Sequence, residues 1–278
     1  METIINGFKT NRAFAVTSVL VLCLLLIAIA APVIAPYDPT HAAMKDAFLE
    51  PGAQHLFGTD KLGRDCFSRV LYGARASLTG VLVLVASVFV VGTTMGVVSG
   101  YFGGKVDMVI MRISDMMISF PGMILAIAIA GIMGGSLVNA VFALTIVSWT
   151  KYARLSRSMV LKVKRRDFVE AAIVNGGTPG HILWVHILPN ILPMMVITAA
   201  ADIGALMMEL AGLSFLGFGS QPPAPEWGLM LNEGRQQLQT APWLMVFPGL
   251  AIFVTVVVFN LWGDNLRDVL DPRGDVED

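Results

Sequence analysis

The chain has 278 residues, of which 55% are hydrophobic and only 14% charged, and its formal net charge is −1. Soluble domains carry roughly 25% charged residues, so the composition excludes an ordinary globular domain, and the charge balance gives no argument for nucleic acid. Cys23 and Cys66 have no C-x-x-C partner and no metal-ligand spacing, which predicts unpaired thiols; no metal ligand set is assigned.

The apolar residues come in long blocks, the pattern of membrane helices, which need roughly 20 residues each. The first block, 13–35, is uncharged throughout and ends at Pro36. Its length predicts a retained span, although the Ala-rich end leaves a cleaved signal segment as the alternative. A polar stretch of mixed charge follows from Tyr37 to about Arg75. The second span is expected at 77–101, closed by Phe102-Gly103-Gly104-Lys105. Within it Gly92, Gly96 and Gly100 are spaced by four, which lines one face with small residues and lets another helix come close. The third span is expected at 108–132, kinked at Pro121. Arg112 and Asp115, three apart near its start, suggest an ion pair.

A fourth span at 136–152 runs into the most basic segment of the chain, Lys151 to Arg166. A moderately polar segment continues to Pro189, a fifth span covers 191–215, a Pro-, Gly- and Gln-rich loop covers 217–242, and a sixth span covers 244–262. The expected fold class is therefore all-α integral membrane, a single domain over 1–278 with about six transmembrane helices and no internal repeat. With the N-terminus inside, thirteen of the 19 Lys and Arg residues fall in inside segments, so the positive-inside rule puts both termini and the 151–189 loop in the cytoplasm.

Asp202 and Glu209 lie deep in the fifth span and are two helical turns apart, so they share a face. An acid at a helix centre costs roughly 2.5–3.5 kcal/mol on insertion scales, which turns that face toward a translocation path or a partner helix rather than lipid. Met207 and Met208 nearby read as packing before soft-metal ligands. No G-x-x-x-x-G-K followed by Ser or Thr occurs, and no H-E-x-x-H, so no recognisable site here hydrolyses ATP.

The 160–189 loop reads as a short helix, a glycine stop, and a second short helix capped by Thr178 with Pro179 at its first position. Its run Glu170-Ala171-Ala172, three further residues, Gly176 and then Leu188-Pro189 resembles the coupling loop of ABC-transporter permeases, with His186 where many of them have isoleucine. The resemblance implies that Glu170, Ala171, Ala172 and Gly176 contact an ATPase. Phe57-Gly58-Thr59-Asp60 with Gly63-Arg64-Asp65, Leu213-Ser214-Phe215-Leu216-Gly217-Phe218-Gly219, Glu226-Trp227-Gly228 and the ending through Asp271-Pro272 resemble the shorter permease of the dipeptide, oligopeptide and nickel subfamily. That resemblance implies a multi-pass subunit of a prokaryotic inner membrane. Its partners would be a second permease, two ATPases carrying the ATP and Mg2+, an extracytoplasmic binding protein and membrane lipid, with no cofactor on this chain. By the same resemblance the substrate would be nickel, free or chelated, or a di- or oligopeptide. Asp202-Ile203-Gly204 with Met207-Met208 resembles the nickel branch and Glu209 resembles the peptide branch, and the reading leans to nickel. An intramembrane protease lacks its motifs here, and a secondary transporter would show inverted repeats.

Overall fold

The computed structural model describes residues 11–270, and Lys9, Arg273, Asp271-Pro272 and both chain termini lie outside that range. Among the described residues there is no strand beyond one isolated bridge between Thr59 and Asp65. Helix α1 is Arg12–Ile34, capped by Asn11, whose side chain accepts from the Phe14 N–H. Helix α2 is Cys66–Phe102, α3 is Gly104–Ile118, α4 is Gly122–Met133 and α5 is Leu137–Val163. Helix α6 is Asp167–Val174, α7 is Pro179–Phe215, α8 is Trp227–Gly234 and α9 is Trp243–Leu270.

Among the described residues four helices, α1, α2, α7 and α9, are long and apolar enough to cross a membrane, and the bent pair α3–α4 counts as a fifth where the two are taken as one broken span. Helix α5 has the length, at 27 residues, but Lys151, Arg154, Arg157 and Lys162 load its second half with charge. Basic side chains that were expected to begin a loop after 152 instead continue the helix, because nothing between Lys151 and Val163 breaks it.

Helix α2 begins eleven residues before the expected 77, since Asp65 caps it by accepting from the Ser68 N–H at 2.7 Å. Cys66 is therefore a buried helical residue rather than a loop residue, and Cys23 is exposed on α1. The kink expected at Pro121 is a full break. Helices α3 and α4 meet at 94° across Ser119-Phe120-Pro121, where proline supplies no N–H and restricts the residue before it.

The core forms where α2, α5 and α7 meet. Leu78, Leu84 and Val88 of α2 pack with Ala140 and Leu144 of α5 and with Met195, Met207 and Leu210 of α7. The glycine stripe of α2 sets the α2–α5 distance. A methyl on Gly92 would stand 2.5 Å from the Tyr152 Cβ, one on Gly100 would stand 2.9 Å from the Val160 Cβ, and one on Gly96 would collide with Ser156 and the Ala153 carbonyl. The two helices are thus joined backbone to backbone, as small residues permit in a bilayer. Gly96→Ala is expected to destabilise the fold by about 1–3 kcal/mol through overpacking, read as a lower thermal midpoint in detergent, whereas Gly249→Ala, at a helical glycine where the added methyl would meet only Leu231 Cδ2 at 3.9 Å, should lose less.

Candidate functional site: a docking hairpin and a charged helix face

At one end of the bundle, α5 leads into a hairpin made by α6 and the start of α7. Lys164 fixes the exit by donating to the Tyr101 carbonyl at 2.7 Å and lying over the Tyr101 ring. Asp167 and Glu170 sit in the first turn of α6, where carboxylates suit the helix dipole. Gly176, at φ +80°, turns the chain out of the helix. Thr178 caps the next helix through the His181 N–H, with Pro179 at its first position. That helix does not stop as a second short element. It continues through a π-helical turn, Ile182–Ile187, into the rest of α7. The Leu188 N–H reaches back to the Leu183 carbonyl, and Pro189, lacking an N–H, follows at once.

Val169 is fully buried and seats α6 on Ile182, Ile187, Ile191, Val160 and Val97. Glu170, Ala171 and Gly176 face outward, and Ala172 turns half inward onto the same cluster. Around the outward residues stand exposed apolar side chains that sequence reasoning passed over: Phe168, Ile173, Val174 (86% exposed) and Trp184 (73%). Their signal was available, because α6 offers no polar alternation after Glu170. An outward cluster of this kind marks an interaction surface.

The second feature lies along α5. Asp202 and Glu209 both reach α5, as their shared face requires. Lys151 Nζ donates to the two Asp202 carboxylate oxygens at 2.7 and 2.8 Å, and Ser148 Oγ lies 3.5 Å from Glu209. Lower on α5, Arg154 pairs with Asp115 and donates to Ser114 Oγ at 3.2 Å. Arg157 holds Asp107 with two donors, and Ser99 Oγ donates to the same carboxylate. The ion pair suggested between Arg112 and Asp115 is therefore replaced. The Asp115 carboxylate meets a cation on α5 rather than one on its own helix. Met207 is buried in the core while Met208 is exposed, so the two do not share the charged face. Among the described residues no three His, Cys, Asp or Glu side chains come together as a metal-binding group.

At the opposite end, the stretches 57–65 and 226–233 fold onto each other. Arg64 donates to Asp60 at 2.6 Å and to both Glu233 oxygens, and Arg69 donates to Glu233 at 2.8 Å and to the Pro39 and Pro223 carbonyls. Both arginines are buried. Trp243 donates to the Thr59 carbonyl and Trp227 to the Val70 carbonyl. Glu226 caps α8 by accepting from the Gly228 and Leu229 N–H groups and from Ser77 Oγ, and burial pushes its carboxyl above the ordinary carboxylate range.

The family model of the binding-protein-dependent transport system inner membrane component matches residues 92–275. The chain belongs to that family. It also matches, over residues 3–51, the model of the N-terminal transmembrane domain of oligopeptide transport permease C. It is 43% identical to a dipeptide transport system permease of Alkalihalophilus pseudofirmus, over 95% of this chain and 87% of that one. It is 42% identical to a probable D,D-dipeptide transport system permease of Escherichia coli, over 98% and 93%. With the nickel transport system permease of Escherichia coli it shares 39%, over 96% and 97%. The chain is thus a membrane-embedded permease subunit of an ABC importer. The family's matched region includes the hairpin, the charged face and the 226–233 half of the buried cap.

The cap gives a direct test of its own ion pairs. Glu233→Ala leaves two buried guanidinium groups short of a partner, so the permease should lose about 3–5 kcal/mol of stability, read as a lowered thermal midpoint. Lys61→Ala, at an exposed position beside it, should leave the midpoint in place.

Proposed function

We propose that this permease forms half of the translocation path of an importer for small peptides. Its assembly would hold a second, different permease, two ATPases that carry the ATP and Mg2+, and an extracytoplasmic binding protein. Both termini and the α6 hairpin would lie on the cytoplasmic side. Glu170, Ala171, Ala172 and Gly176, ringed by Phe168, Ile173 and Val174, would seat in a groove of one ATPase. The small side chains permit close helix approach, and the exposed apolar rim gives the contact its area.

Closure of the ATPases on ATP would push the hairpin. Because α5 enters the hairpin and α7 leaves it, the push reaches the two helices that carry Lys151, Asp202 and Glu209. The path would then open outward to receive substrate, and hydrolysis would reset it.

The observation that supports a peptide is the charge on that face. Asp202 is already balanced by Lys151, which leaves Glu209 beside a fixed cation. Such a face suits a solute with an ammonium at one end and a carboxylate at the other. A free divalent cation would meet the Lys151 charge unshielded by any ligand cluster. The nickel reading rested on Asp202-Ile203-Gly204 with Met207 and Met208 and on an acidic face; Met207 points into the core and Asp202 is paired with Lys151. Relatives named for dipeptides and for nickel both exist at similar identity, so overall similarity favours neither and the support for a peptide is the charge on this face.

The test is uptake by the complete assembly in liposomes, with a dipeptide and with Ni2+ offered through the matching binding protein. Dipeptide accumulation driven by ATP is expected, and accumulation of Ni2+ alone would overturn the substrate assignment. In the same assay Gly176→Pro, which cannot adopt φ +80°, should leave an inserted, assembled subunit whose uptake per ATP hydrolysed falls by roughly tenfold or more. Normal uptake would remove the coupling role of the hairpin.

A further inference from the structure

Arg75 lies on α2, two residues before the apolar block that begins at Ser77. It is exposed and, among the described residues, has neither an ion pair nor a hydrogen bond. Arg64 and Arg69, at the same end of the bundle, are by contrast buried against Asp60 and Glu233. The Tyr37 N–H donates to Ser68 Oγ at 3.1 Å, which sets α1 against α2. At 1.5 Å per residue Arg75 sits about 10 Å along α2 from that contact, near the level where α1 ends at Ile34. A cation at the edge of hydrocarbon is costly unless it meets water or an anion. The arginine stem is long enough to lift its head into the headgroup layer.

Beside Arg75 a groove of about 310 Å³ runs between α1 and α2. Buried Leu78 forms its floor, and Leu25 and Ile29 of α1 stand across from Leu82 of α2. Its chemistry is ordered along α2. Arg75, Thr79 and Leu82 follow at i, i+4 and i+7, so they share one helix face. From the end of the span inward, that face offers a guanidinium, then a hydroxyl that takes no partner among the described residues, then an apolar side chain. A phospholipid has the same order: a phosphate, then ester carbonyls, then a hydrocarbon chain. The guanidinium suits the phosphate because its planar fork donates two hydrogen bonds to two oxygens at once.

We infer that the groove between α1 and α2 is a binding site for an anionic phospholipid. Arg75 holds the phosphate, Thr79 donates to an ester carbonyl, and one acyl chain lies along Leu82, Leu25 and Ile29. With the hairpin in the cytoplasm, the site opens to the outer leaflet. A net negative headgroup is preferred, because a zwitterionic lipid brings its own ammonium to compete for the phosphate. A protein helix in this groove would need an acid at the level of Arg75, whereas a bilayer supplies phosphate there all round. Helix α1 is the least buried of the four long spans, so a lipid seated in its seam with α2 adds to what holds it. The site does not depend on which solute the permease carries.

The test uses the complete assembly, purified in mild detergent and incubated with phosphatidylglycerol or phosphatidylcholine before native mass spectrometry. Phosphatidylglycerol is expected to stay bound and phosphatidylcholine to be lost; equal retention of the two would overturn the site. Arg75→Gln should lower phosphatidylglycerol retention by roughly tenfold or more, the weight of a hydrogen bond to a charged group. Ile29→Trp, which fills the groove and leaves Arg75 in place, should lower it as well. Arg235→Gln, at an exposed cation of the same end, should leave it unchanged. Retention that survives Arg75→Gln, or falls equally with Arg235→Gln, would mean general charge attraction and would remove the site. Retention that survives Ile29→Trp would leave a headgroup contact with no seated chain, which also contradicts the proposal. Should either groove variant cost the assembly its second permease, the groove is a subunit contact and the lipid assignment falls. Should Arg75→Gln fail to insert, Thr79→Val decides: lower retention supports the site, and retention equal to that of the unaltered chain overturns it.

Discussion

Hydrocarbon does not solvate an ion, so each charge carried into the helical bundle needs a partner or water. That constraint organises the permease. At one end Arg64 and Arg69 are buried against Asp60 and Glu233, and they tie the polar stretch after α1 to the segment around α8. Along α5, Lys151, Arg154 and Arg157 find acids on α7 and α3. The first group is closed to water and makes a rigid cap. The second lies partly exposed on the surface of the single chain.

Packing supplies the complement. The α2–α5 contact has glycine where a methyl would clash, which fixes the distance between these helices. The hairpin joins α5 to α7. Its α6 is seated by Val169 on a small separate cluster, and its second arm merges with α7 through the π-helical turn beside Pro189. A push on α6 thus acts on a helix with an irregular turn at its root, and α7 carries two of the carboxylates that face α5.

Much of this was legible in the chain. The apolar blocks marked the helices, the spacing of Gly92, Gly96 and Gly100 marked the tight contact, and Gly176, Thr178 and Pro179 marked the hairpin turn by their own backbone preferences. What was hidden depends on partners distant in sequence. Arg69 looks like a loop residue until Glu233, 164 positions on, takes its charge, so the helix that Asp65 caps carries a buried charge ahead of its apolar block. Asp115 was paired by proximity with Arg112, but Arg154 lies 39 positions away and reaches it across helices. Lys151 was assigned to a basic loop because its acid, Asp202, sits 51 positions further on. The spacing of Lys151, Arg154 and Arg157 by three was the available signal that α5 continues.

The central claim is that this permease works only as one part of an ATP-driven assembly, seated on an ATPase through the hairpin. The most direct measurement is purification of the tagged chain from its native membrane in mild detergent, with mass spectrometry of the proteins that accompany it, repeated with Val174→Asp to place a charge in the exposed apolar rim. The account predicts a second permease and ATPase subunits with the unaltered chain, and retention of the second permease with loss of the ATPase in the variant. A chain recovered alone or only with copies of itself, or a variant that keeps its ATPase in full, would contradict it.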